Sequence, residues 1–307
     1  MKRVRRLLKQ LRGDRLMHIC RKNHSVIIQG ITGKQGTFWT EQMQEYGTRV
    51  IGGVNPKKAG AKHCGVPVYG SVVDAAREVK VDATVMFIPP LGVKIAALDA
   101  IEAGAKLIVC LTEHIPIQDV MYFMAAADEA GATIIGPNTA GTVTVGECFL
   151  GFMPAFNTRI FQPGNIGVIS RSGSLATLIC QILTGSGLGV RAFLGIGGDP
   201  IIGTTTLDAL KALDNFEGVE AIAMVGEIGG IMEEEAAEYA KTMSKPIAAF
   251  IAGGAAPIGK KMGHTGAIVI GDKGSYSSKK TALEKAGVNV IDTPLKMGEA
   301  LRVGLAR

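Results

Sequence analysis

The chain has 307 residues, of which 47% are hydrophobic and 20% charged, a length that favours two domains of about 150 residues each. Its formal net charge of +6 comes from residues 1–15, which hold seven Lys or Arg and one Asp, while the remaining chain has 26 basic and 26 acidic residues. Because the globular body is neutral, the net charge gives no evidence for a nucleic-acid partner, and we predict none.

Cysteine spacing and hydropathy exclude further classes of protein. The five cysteines are widely separated and never in C-x-x-C spacing, so we predict neither a disulfide framework nor a zinc site, and no metal ligands in this chain. No apolar run reaches the roughly 20 residues that span a bilayer, so we expect no membrane contact.

Residues 1–16 form a basic leader that we exclude from the fold. The leader is rich in Arg, as targeting peptides are, but it contains no serine, and Met17 follows it closely. We expect these residues to be a disordered tail or the result of a start assigned too early. If they are not a targeting peptide, we expect a cytoplasmic bacterial protein. If the leader were a transit peptide, the protein would reach the mitochondrial matrix instead.

From Ser25 onward, the first half alternates short apolar runs with segments of helical length. Short runs rich in Val and Ile and bounded by Gly or Pro are typical of buried parallel strands. Their alternation with helices predicts a Rossmann-like α/β domain over residues 17–141. The predicted strands are 26–29, 49–54, 83–88, 106–111 and 133–135, and the predicted helices are 38–46, 71–80, 94–103 and 117–129.

The first strand-to-helix turn is Gly30-Ile-Thr-Gly-Lys-Gln-Gly36. Glycines here let the backbone approach a phosphate, and the helix N-terminus offers free N–H groups and a favourable dipole. The turn does not match a Walker A loop, and Asn55-Pro-Lys-Lys58 stands where an NAD-binding protein has a carboxylate. The lysines favour an additional phosphate, as on NADP or the 3′-phosphoadenosine of coenzyme A, although a solvated loop could have the same composition.

Two further strand ends are expected at the same crevice. Phe87-Ile-Pro-Pro90 and Leu111-Thr-Glu-His-Ile-Pro116 place prolines and small polar groups at the carboxyl edge of the predicted sheet. Proline cannot extend a strand ladder, so each strand should end there. Ligands bind at this edge in open α/β folds.

The second half follows a segment rich in Pro and Gly, and we expect residues 142–164 to form an interdomain connection. A second α/β series then predicts a flavodoxin-like domain over residues 165–307. Its predicted strands are 166–170, 192–196, 221–225, 247–252 and 288–291.

The first predicted strand of this domain leads into Ser170-Arg-Ser-Gly-Ser174. A helix is expected to begin near Ser172, and hydroxyls and free amides at a helix N-terminus bind anions. A serine N-cap without a ligand is the alternative, but Arg171 and the serine pair favour a phosphate site.

A carboxylate and a histidine mark two further strand ends. Glu227 lies between glycines where the third strand of the second half should end, and His264 lies in the loop Gly263-His-Thr-Gly-Ala267. A carboxylate that holds one imidazole nitrogen leaves the other free as a neutral nucleophile. Alone, each residue could be structural or merely exposed. Together with the serine motif they predict phosphoryl transfer through a histidine.

Four segments carry a resemblance to a known family: Gln29-Gly-Ile-Thr-Gly-Lys-Gln-Gly-Thr-Phe38, Gly195-Ile-Gly-Gly-Asp-Pro200, Gly226-Glu-Ile-Gly-Gly230 and Met262-Gly-His-Thr-Gly-Ala267. On these segments, and over nearly all of residues 20–307, the chain resembles the α subunit of succinate–CoA ligase, also called succinyl-CoA synthetase. The resemblance implies a Rossmann-like CoA-binding domain followed by a flavodoxin-like ligase domain of the NDP-forming acyl-CoA synthetase family.

The resemblance also implies residue roles. His264 would be transiently phosphorylated, with Glu227 as its orienting carboxylate and Ser172 and Gly173 as half of a phosphate cradle. The reaction would run from acid to acyl phosphate to thioester. Coenzyme A would be a substrate that contacts the first turn, one lysine and a strand end, through Thr32, Gly33, Lys34, Gln35, Lys58, Leu111, Thr112 and Glu113.

A partner subunit is implied as well. An ATP-grasp β subunit, which nothing in this chain resembles, would bind ATP or GTP with Mg²⁺, and activity would require it. The complex would be αβ or α2β2.

Two departures from the family pattern lie near the expected acyl end of the site. Pro137-Asn-Thr-Ala-Gly141 stands where the family usually has Pro-Asn-Cys-Pro-Gly, and Thr177 stands where a tyrosine commonly helps to bind the acid. We assign Asn138, Thr139 and Thr177 to the acid substrate, and we keep malate or another short dicarboxylate as an alternative to succinate.

Two other classes of function stay open. One is a non-catalytic CoA-binding module that has lost the acid site, which the presence of both Glu227 and His264 argues against. The other is an NADP-dependent reductase, which is disfavoured because the second half has a phosphate motif and no evident set of residues for hydride transfer.

Overall fold

The computed structural model describes residues 17–255, 264, 267, 269 and 273–306. The basic leader, residues 1–16, lies outside the described residues. The described part of the chain forms two seven-stranded sheets flanked by helices, which confirms the predicted α/β fold with two successive sheet regions.

The N-terminal sheet has the strands β1 (Val26–Gln29), β2 (Val50–Val54), β3 (Lys62–His63), β4 (Val66–Tyr69), β5 (Ala83–Met86), β6 (Leu107–Cys110) and β7 (Thr133–Ile135). Their order across the sheet is β3-β4-β2-β1-β5-β6-β7, and all neighbours are parallel except β3 and β4. Counted along the chain, the six parallel strands stand in the order 3-2-1-4-5-6, which is that of the Rossmann fold.

Every strand predicted in this half is present, with ends that differ by at most two residues. The strands β3 and β4 were not predicted. The first has two residues, and the second contains Pro67, so neither shows a continuous apolar run.

The described residues of this half form four α-helices: α1 (Lys34–Tyr46), α2 (Val72–Ala76), α3 (Val93–Glu102) and α4 (Ile117–Ala130). The helix α1 begins four residues before the predicted start, because Gly33 adopts the extended N-cap conformation, and it stops at Gly47, whose φ is 113°. The predicted helix 71–80 is α-helical only over α2, where the hydroxyl of Ser71 accepts the N–H of Asp74.

The second sheet has the strands β8 (Gly141–Thr144), β9 (Cys148–Gly151), β10 (Pro163–Ser170), β11 (Val190–Gly195), β12 (Ala221–Glu227), β13 (Ile247–Ala252) and β14 (Asn289–Ile291). Their order is β14-β13-β12-β10-β11-β8-β9. The five parallel strands, β10 to β14, stand in the order 2-1-3-4-5, which is the flavodoxin order.

The structure differs from the sequence prediction at residues 142–164. Instead of an interdomain connection, this interval supplies most of β8 and all of β9, which extend the second sheet as antiparallel strands. Gly and Thr dominate β8, so its sequence resembles a loop. Its buried threonine hydroxyls donate to backbone carbonyls, Thr142 to Phe193 at 2.8 Å and Thr144 to Cys20 at 2.7 Å, and this satisfies their polar groups inside the fold.

The helices of this half are α5 (Gly173–Gly185), α6 (Thr206–Asp214), α7 (Met232–Ala240), α8 (Tyr276–Lys285) and α9 (Met297–Leu305). Helices α5 and α9 pack on one face of the sheet, and α6, α7 and α8 pack on the other. The buried cluster beneath α5 and α9 also contains Ile28 and Val85 of the first sheet. The two halves therefore share one apolar core.

Among the helices that the structure describes, none combines the length and the apolar composition needed to span a bilayer.

Candidate active site

In parallel α/β sheets, ligands bind beyond the carboxyl ends of the strands, where the strand order reverses. In the first sheet that point lies between β1 and β5, and in the second between β10 and β12. The glycine-rich turn follows β1, the serine motif follows β10, and Glu227 is the last residue of β12. The strand order thus places the predicted motifs at the two binding crevices.

The glycine-rich turn packs closely at two glycines and is exposed at a third. A Cβ at Gly30 would overlap the carbonyl oxygen of Phe87, and a Cβ at Gly36 would overlap that of Gly30. Gly33 is exposed, and a Cβ added there would have its nearest neighbouring atom 3.3 Å away. The outer glycines therefore let β1, β5 and α1 approach one another, while Gly33 keeps the helix start accessible.

The N-terminus of α1 has the properties of an anion site. Gly33 provides no side-chain cap, the first turn contains no acidic residue, and Lys34 and Gln35 are exposed. The Gln35 side chain accepts a hydrogen bond from the indole N–H of Trp39 at 3.1 Å. Uncapped amides and the helix dipole favour a phosphate group at this position.

Asn55 joins this turn to the lysine segment. Its amide Nδ2 donates to the hydroxyl of Thr32 at 2.5 Å, and its Oδ1 accepts the N–H of Lys57 at 3.0 Å, which caps a short 3₁₀ helix, Pro56–Lys58. Lys58 is exposed. In the sequence, Asn55 stood out only as the residue where an NAD-binding protein has a carboxylate. Its hydrogen bond with Thr32 was not predicted.

The end of β6 lies beside the end of β5. The hydroxyl of Thr112 donates to the carbonyl of Ile88 at 2.6 Å. Leu111 is largely buried and Glu113 is exposed. The carbonyl of Thr112 also accepts the N–H of Asn138 at 3.0 Å, so this strand end connects to the second half of the chain.

The serine motif forms the start of α5. The hydroxyl of Ser170 donates to the carbonyl of Ser172 at 2.7 Å and accepts its N–H at 3.1 Å. Ser172 is the N-cap, and its hydroxyl accepts the N–H of Leu175 at 3.4 Å. A Cβ at Gly173 would lie 2.9 Å from the Cβ of Ala140. Ala140, which differs from the usual family pattern, therefore lies directly against this turn.

Glu227 and His264 meet as the sequence analysis predicted. His264 Nδ1 lies 2.7 Å from Glu227 Oε2, although the two residues are 37 positions apart in the chain. The other carboxylate oxygen, Oε1, lies 3.1 Å from an Nη atom of Arg171. Among the residues flanking His264, Gly263, Thr265 and Gly266 lie outside the described residues.

Arg171 has a different position from the one its sequence motif suggested. Its side chain is 2% exposed, it pairs with Glu227, and its other Nη donates to the carbonyl of Gly229 at 3.4 Å. A cation beside a buried carboxylate compensates its charge. We therefore assign Arg171 to holding Glu227, because both groups of its guanidinium fork are directed to the end of β12.

The loop after β11 supports the imidazole ring of His264. A Cβ at Gly198 would lie 2.6 Å from Cγ and 2.8 Å from Nδ1 of that ring. The N–H of Gly198 donates to the carbonyl of Asn138 at 3.0 Å, and Asp199 accepts the Asn138 amide at 3.0 Å. Gly198 and Asp199 belong to one of the segments that carry the family resemblance, but no sequence signal assigned them to the histidine.

The surroundings of His264 raise its pKa above the ordinary value of 6.5. The hydrogen bond with Glu227 is the largest cause; burial lowers the pKa, the charge of Glu227 raises it, Arg171 lowers it and Asp199 raises it. Because Glu227 engages Nδ1, Nε2 is the ring nitrogen available for chemistry.

The three residues assigned to the acid substrate have distinct environments. Asn138 has a φ of 56°, and its backbone links Thr112 to Gly198. Thr139 is buried, and its hydroxyl donates to the carbonyl of Gly195 and accepts the N–H of Gly141. The partly exposed Thr177 donates its hydroxyl to the carbonyl of Gly173 at 3.0 Å, within α5. Each of these polar groups thus already has a partner in the fold.

Substitution of Gly198 by alanine tests the support of the ring. The added methyl group would overlap the imidazole, whose Cγ lies 2.6 Å from the Cβ position, and we expect it to break the bond to Glu227. The pKa of His264 should then fall toward its ordinary value, measured by NMR titration of the ring protons. The control is Gly185→Ala, because no atom lies within 4 Å of a Cβ there. An unchanged titration in Gly198→Ala would contradict the prediction.

Two protein families match the chain. The CoA binding domain family matches residues 21–114, and the CoA-ligase family matches residues 169–289. The first match covers the glycine-rich turn and the lysine segment, and the second covers the serine motif, Glu227 and His264. The N-terminal half is therefore a CoA-binding domain.

Curated relatives match over nearly their full lengths. Succinate–CoA ligase [ADP-forming] subunit alpha 2 of Archaeoglobus fulgidus is 47% identical over 89% of this chain and 94% of its own. Succinate–CoA ligase [ADP-forming] subunit alpha of Methanothermobacter thermautotrophicus is 45% identical over 96% of this chain and 99% of its own. A subunit of an ADP-forming sulfoacetate–CoA ligase from Acholeplasma sp. is 43% identical over 90% of this chain and 94% of its own.

Solved structures share the fold at lower identity. ATP citrate lyase of Methanosaeta concilii superposes with a TM-score of 0.85 at 22% identity, over 94% of this chain and 50% of that one. This likeness extends the agreement in fold to both halves. The two family matches and the relatives above 40% identity show that the chain belongs to the CoA-ligase family that includes the α subunits of succinate–CoA ligases.

Proposed function

We propose that this chain is the α subunit of a nucleotide-forming succinate–CoA ligase, which makes succinyl-CoA or runs in reverse to form ATP or GTP, through a phosphohistidine at His264. The observation that carries the proposal is the 2.7 Å contact between Glu227 and His264 Nδ1, in a chain whose relatives are named succinate–CoA ligase α subunits. The contact leaves Nε2 as the nucleophile of an acid–thiol ligase.

The reaction would pass the phosphoryl group through His264 in three displacements. Nε2 attacks the terminal phosphorus of the nucleotide, so an N–P bond forms while the bridging P–O bond breaks and the nucleoside diphosphate leaves. A carboxylate oxygen of the acid then attacks that phosphorus, the N–P bond breaks, and an acyl phosphate forms. The sulfur of coenzyme A finally attacks the acyl carbon, and inorganic phosphate leaves as the thiol proton passes to solvent.

The residues around His264 would assist these displacements. Glu227 accepts a hydrogen bond from Nδ1–H, which in the neutral imidazole selects the tautomer with Nε2 free, and it offsets the positive charge that develops on the ring. Arg171 holds the Glu227 carboxylate in place through the 3.1 Å pair. The N-terminus of α5, at Ser172 and Gly173, would stabilise the phosphoryl oxygens with its amides and dipole.

Coenzyme A would bind at the crevice of the first sheet. The N-terminus of α1, with Thr32, Gly33, Lys34 and Gln35, would hold its phosphates, and Lys58 would pair with the phosphate on the ribose. The strand end Leu111-Thr112-Glu113 would complete the site. The hydrogen bonds from the Asn138 N–H to the Thr112 carbonyl and from the Gly198 N–H to the Asn138 carbonyl connect this crevice to the loop that supports His264.

The acid is proposed from the names of the relatives and from the departures at its expected site. Succinate is favoured by those names. Sulfoacetate is a second candidate, because a sulfoacetate–CoA ligase subunit is 43% identical to this chain. Malate is a third, because Thr177 stands in place of a tyrosine. All three are short dianions, which suit a pocket beside the α5 N-terminus. Asn138, Thr139 and Thr177 would shape that pocket.

The nucleotide site would lie in a partner. The relatives are named as α subunits, which supports an αβ or α2β2 complex whose ATP-grasp β subunit binds ATP or GTP with Mg²⁺. In the described residues, no group of three or more His, Cys, Asp or Glu side chains could hold a metal ion.

The experiment is to express the chain with a candidate β subunit from the same organism and to incubate the complex with γ-labelled ATP or GTP. We expect acid-labile, base-stable label on His264, which succinate plus coenzyme A discharges. If sulfoacetate or malate discharges the label and succinate does not, that acid replaces succinate as the proposed substrate, and the proposed ligase reaction is retained. Absence of label with both nucleotides, with coenzyme A still bound in calorimetry, would favour the non-catalytic module.

A further inference from the structure

A buried ion pair lies behind Glu227, outside the motifs that the proposed chemistry uses. Lys279 of α8 and Glu233 of α7 are each 0% exposed, and the Lys279 ammonium contacts the Glu233 carboxylate. Glu234 Oε2 lies 3.4 Å from the same ammonium. Replacing a buried ion pair with apolar residues of similar volume is often neutral or stabilising, so stability alone is a poor reason for charges at these positions.

Glu233 connects this pair to the end of β12. One carboxylate oxygen contacts Lys279, and the other, Oε1, accepts the backbone N–H of Glu227 at 3.2 Å. A Cβ at Gly226 would lie 2.7 Å from that oxygen, so the carboxylate reaches the backbone because residue 226 has no side chain. The backbone of Glu227 is therefore held from α7, independently of the contacts of its side chain.

The same region anchors both ends of the segment that carries His264. On the N-terminal side, the N–H of Ile228 donates to the carbonyl of Ala252, the last residue of β13, at 3.1 Å. On the C-terminal side, Gly229 donates to the carbonyl of Gly274 at 2.8 Å, and Gly274 donates to Glu234 at 3.0 Å. The turn after Glu227 thus contacts the chain before and after the histidine segment.

Lys279 completes this arrangement from the C-terminal side. It lies on the first two turns of α8, the helix that directly follows the segment, and its ammonium joins α8 to Glu233 and Glu234 of α7. The hydroxyl of Ser278 donates to Glu234 at 3.1 Å and adds a neutral contact between the same helices. The ion pair therefore couples the helix behind His264 to the backbone of Glu227.

We propose that Lys279 and Glu233 are positioning residues, whose ion pair sets the placement of Glu227 relative to His264. The inference rests on the proposed function, in which that placement orients the nucleophile. It explains why two charges are buried at the meeting point of α7, α8 and β12. It also assigns a role to residues that touch neither coenzyme A nor the phosphoryl group.

The test uses the complex with the β subunit and two variants of the pair. Lys279→Met leaves the Glu233 charge buried and unpaired, which is expected to destabilise the chain strongly, so the decisive variant is the double substitution Lys279→Met with Glu233→Gln. The double variant removes both charges of the pair, Glu234 keeps its hydrogen bonds with Gly274 and Ser278, and Gln keeps an acceptor for the Glu227 N–H. Lys280→Met is the matched control, because Lys280 is the next residue of α8 and pairs near the surface with Asp292.

We expect the folded double variant to phosphorylate His264 about 10²-fold more slowly, the scale of a small misplacement of reacting groups, with unchanged affinity for coenzyme A. The pKa of His264, followed by NMR, should fall toward its ordinary value in the double variant and not in Lys280→Met. A folded double variant with wild-type labelling and wild-type titration would overturn the inference. If His264 of the wild-type complex is not phosphorylated, the proposed function is overturned instead. The NMR titration of His264 would still test whether the ion pair positions Glu227.

Discussion

Replacement of His264 by asparagine is expected to abolish phosphoryl transfer and to leave the fold and the binding of coenzyme A unchanged. The asparagine amide can still hydrogen-bond toward Glu227, which lies 2.7 Å from the histidine ring, but it is not a nucleophile. Removing a member of a catalytic unit costs about 10⁴-fold or more in rate. Turnover of the complex with the β subunit, and covalent phosphate found by mass spectrometry at neutral pH, measure the loss.

The matched control is His18→Asn, an exposed histidine in the first described residues that has no place in the proposed chemistry. It should keep wild-type turnover. Calorimetry should give the same affinity for coenzyme A in both variants, because the proposed CoA residues belong to the first sheet. Covalent phosphate at wild-type stoichiometry on the His264→Asn chain would show that a different residue carries the phosphoryl group.

Replacement of Glu227 by glutamine is expected to lower the rate of phosphorylation by about 10²- to 10⁴-fold, the range seen when the group that orients a catalytic histidine is neutralised. An amide can donate to Nδ1 as well as accept from it, so the tautomer with Nε2 free is no longer selected. The change also leaves the guanidinium of Arg171, 3.1 Å from Oε1, without its counter-charge. Rapid-quench labelling with ATP measures the rate.

The pH dependence of the phosphorylation rate distinguishes loss of the Glu227 carboxylate's effect on His264 from a non-specific disruption of the fold. Only the neutral imidazole is nucleophilic, so the wild-type phosphorylation rate should fall as the pH falls through the raised pKa of His264. Since Glu227 is the main cause of that elevation, the acid limb should move to lower pH in Glu227→Gln.

Glu235→Gln, an exposed carboxylate on α7, is the control and should keep both the rate and the profile. Thermal denaturation of Glu227→Gln should show a folded but less stable protein, because removing one partner of a buried ion pair costs about 3–5 kcal/mol. A wild-type rate in folded Glu227→Gln would remove the carboxylate from the mechanism.

The pairing of Glu227 with His264 was predictable because each residue ends or follows a recognisable apolar run. Parallel strands carry their carboxyl ends to one edge, and β12 and β13 are neighbours, so residues that follow them must lie close together. The glycine-rich turn was predictable for a similar local reason, since strand, turn and helix are consecutive. The contact of Arg171 with Glu227, instead of with a phosphate, was not predictable, because the residues next to Arg171 in the chain are the same for both arrangements.

The strands β8 and β9 show the limit of local patterns. The Gly and Thr residues of β8 have the composition of a connection, but pairing with β11 on one side and β9 on the other gives them a strand conformation, and the carbonyl of Phe193 in β11 accepts the Thr142 hydroxyl. In the same way, Gly198 lies against the imidazole ring of His264, 66 positions away in the chain. Nothing within a few residues of either position indicates that contact.

Apolar periodicity, glycine placement and helix caps depend on residues close in the chain, and they were sufficient for the two α/β halves and for the sheet edges at which the motifs lie. The polar contacts around His264 depend on side chains that meet across the fold, such as Lys279 with Glu233, 46 positions apart, and Asn138 with Asp199, 61 positions apart. Many partners of opposite charge are compatible with the sequence. Strand order and helix packing select one of them, because a buried charge is stable only beside the partner that the folded chain brings to it.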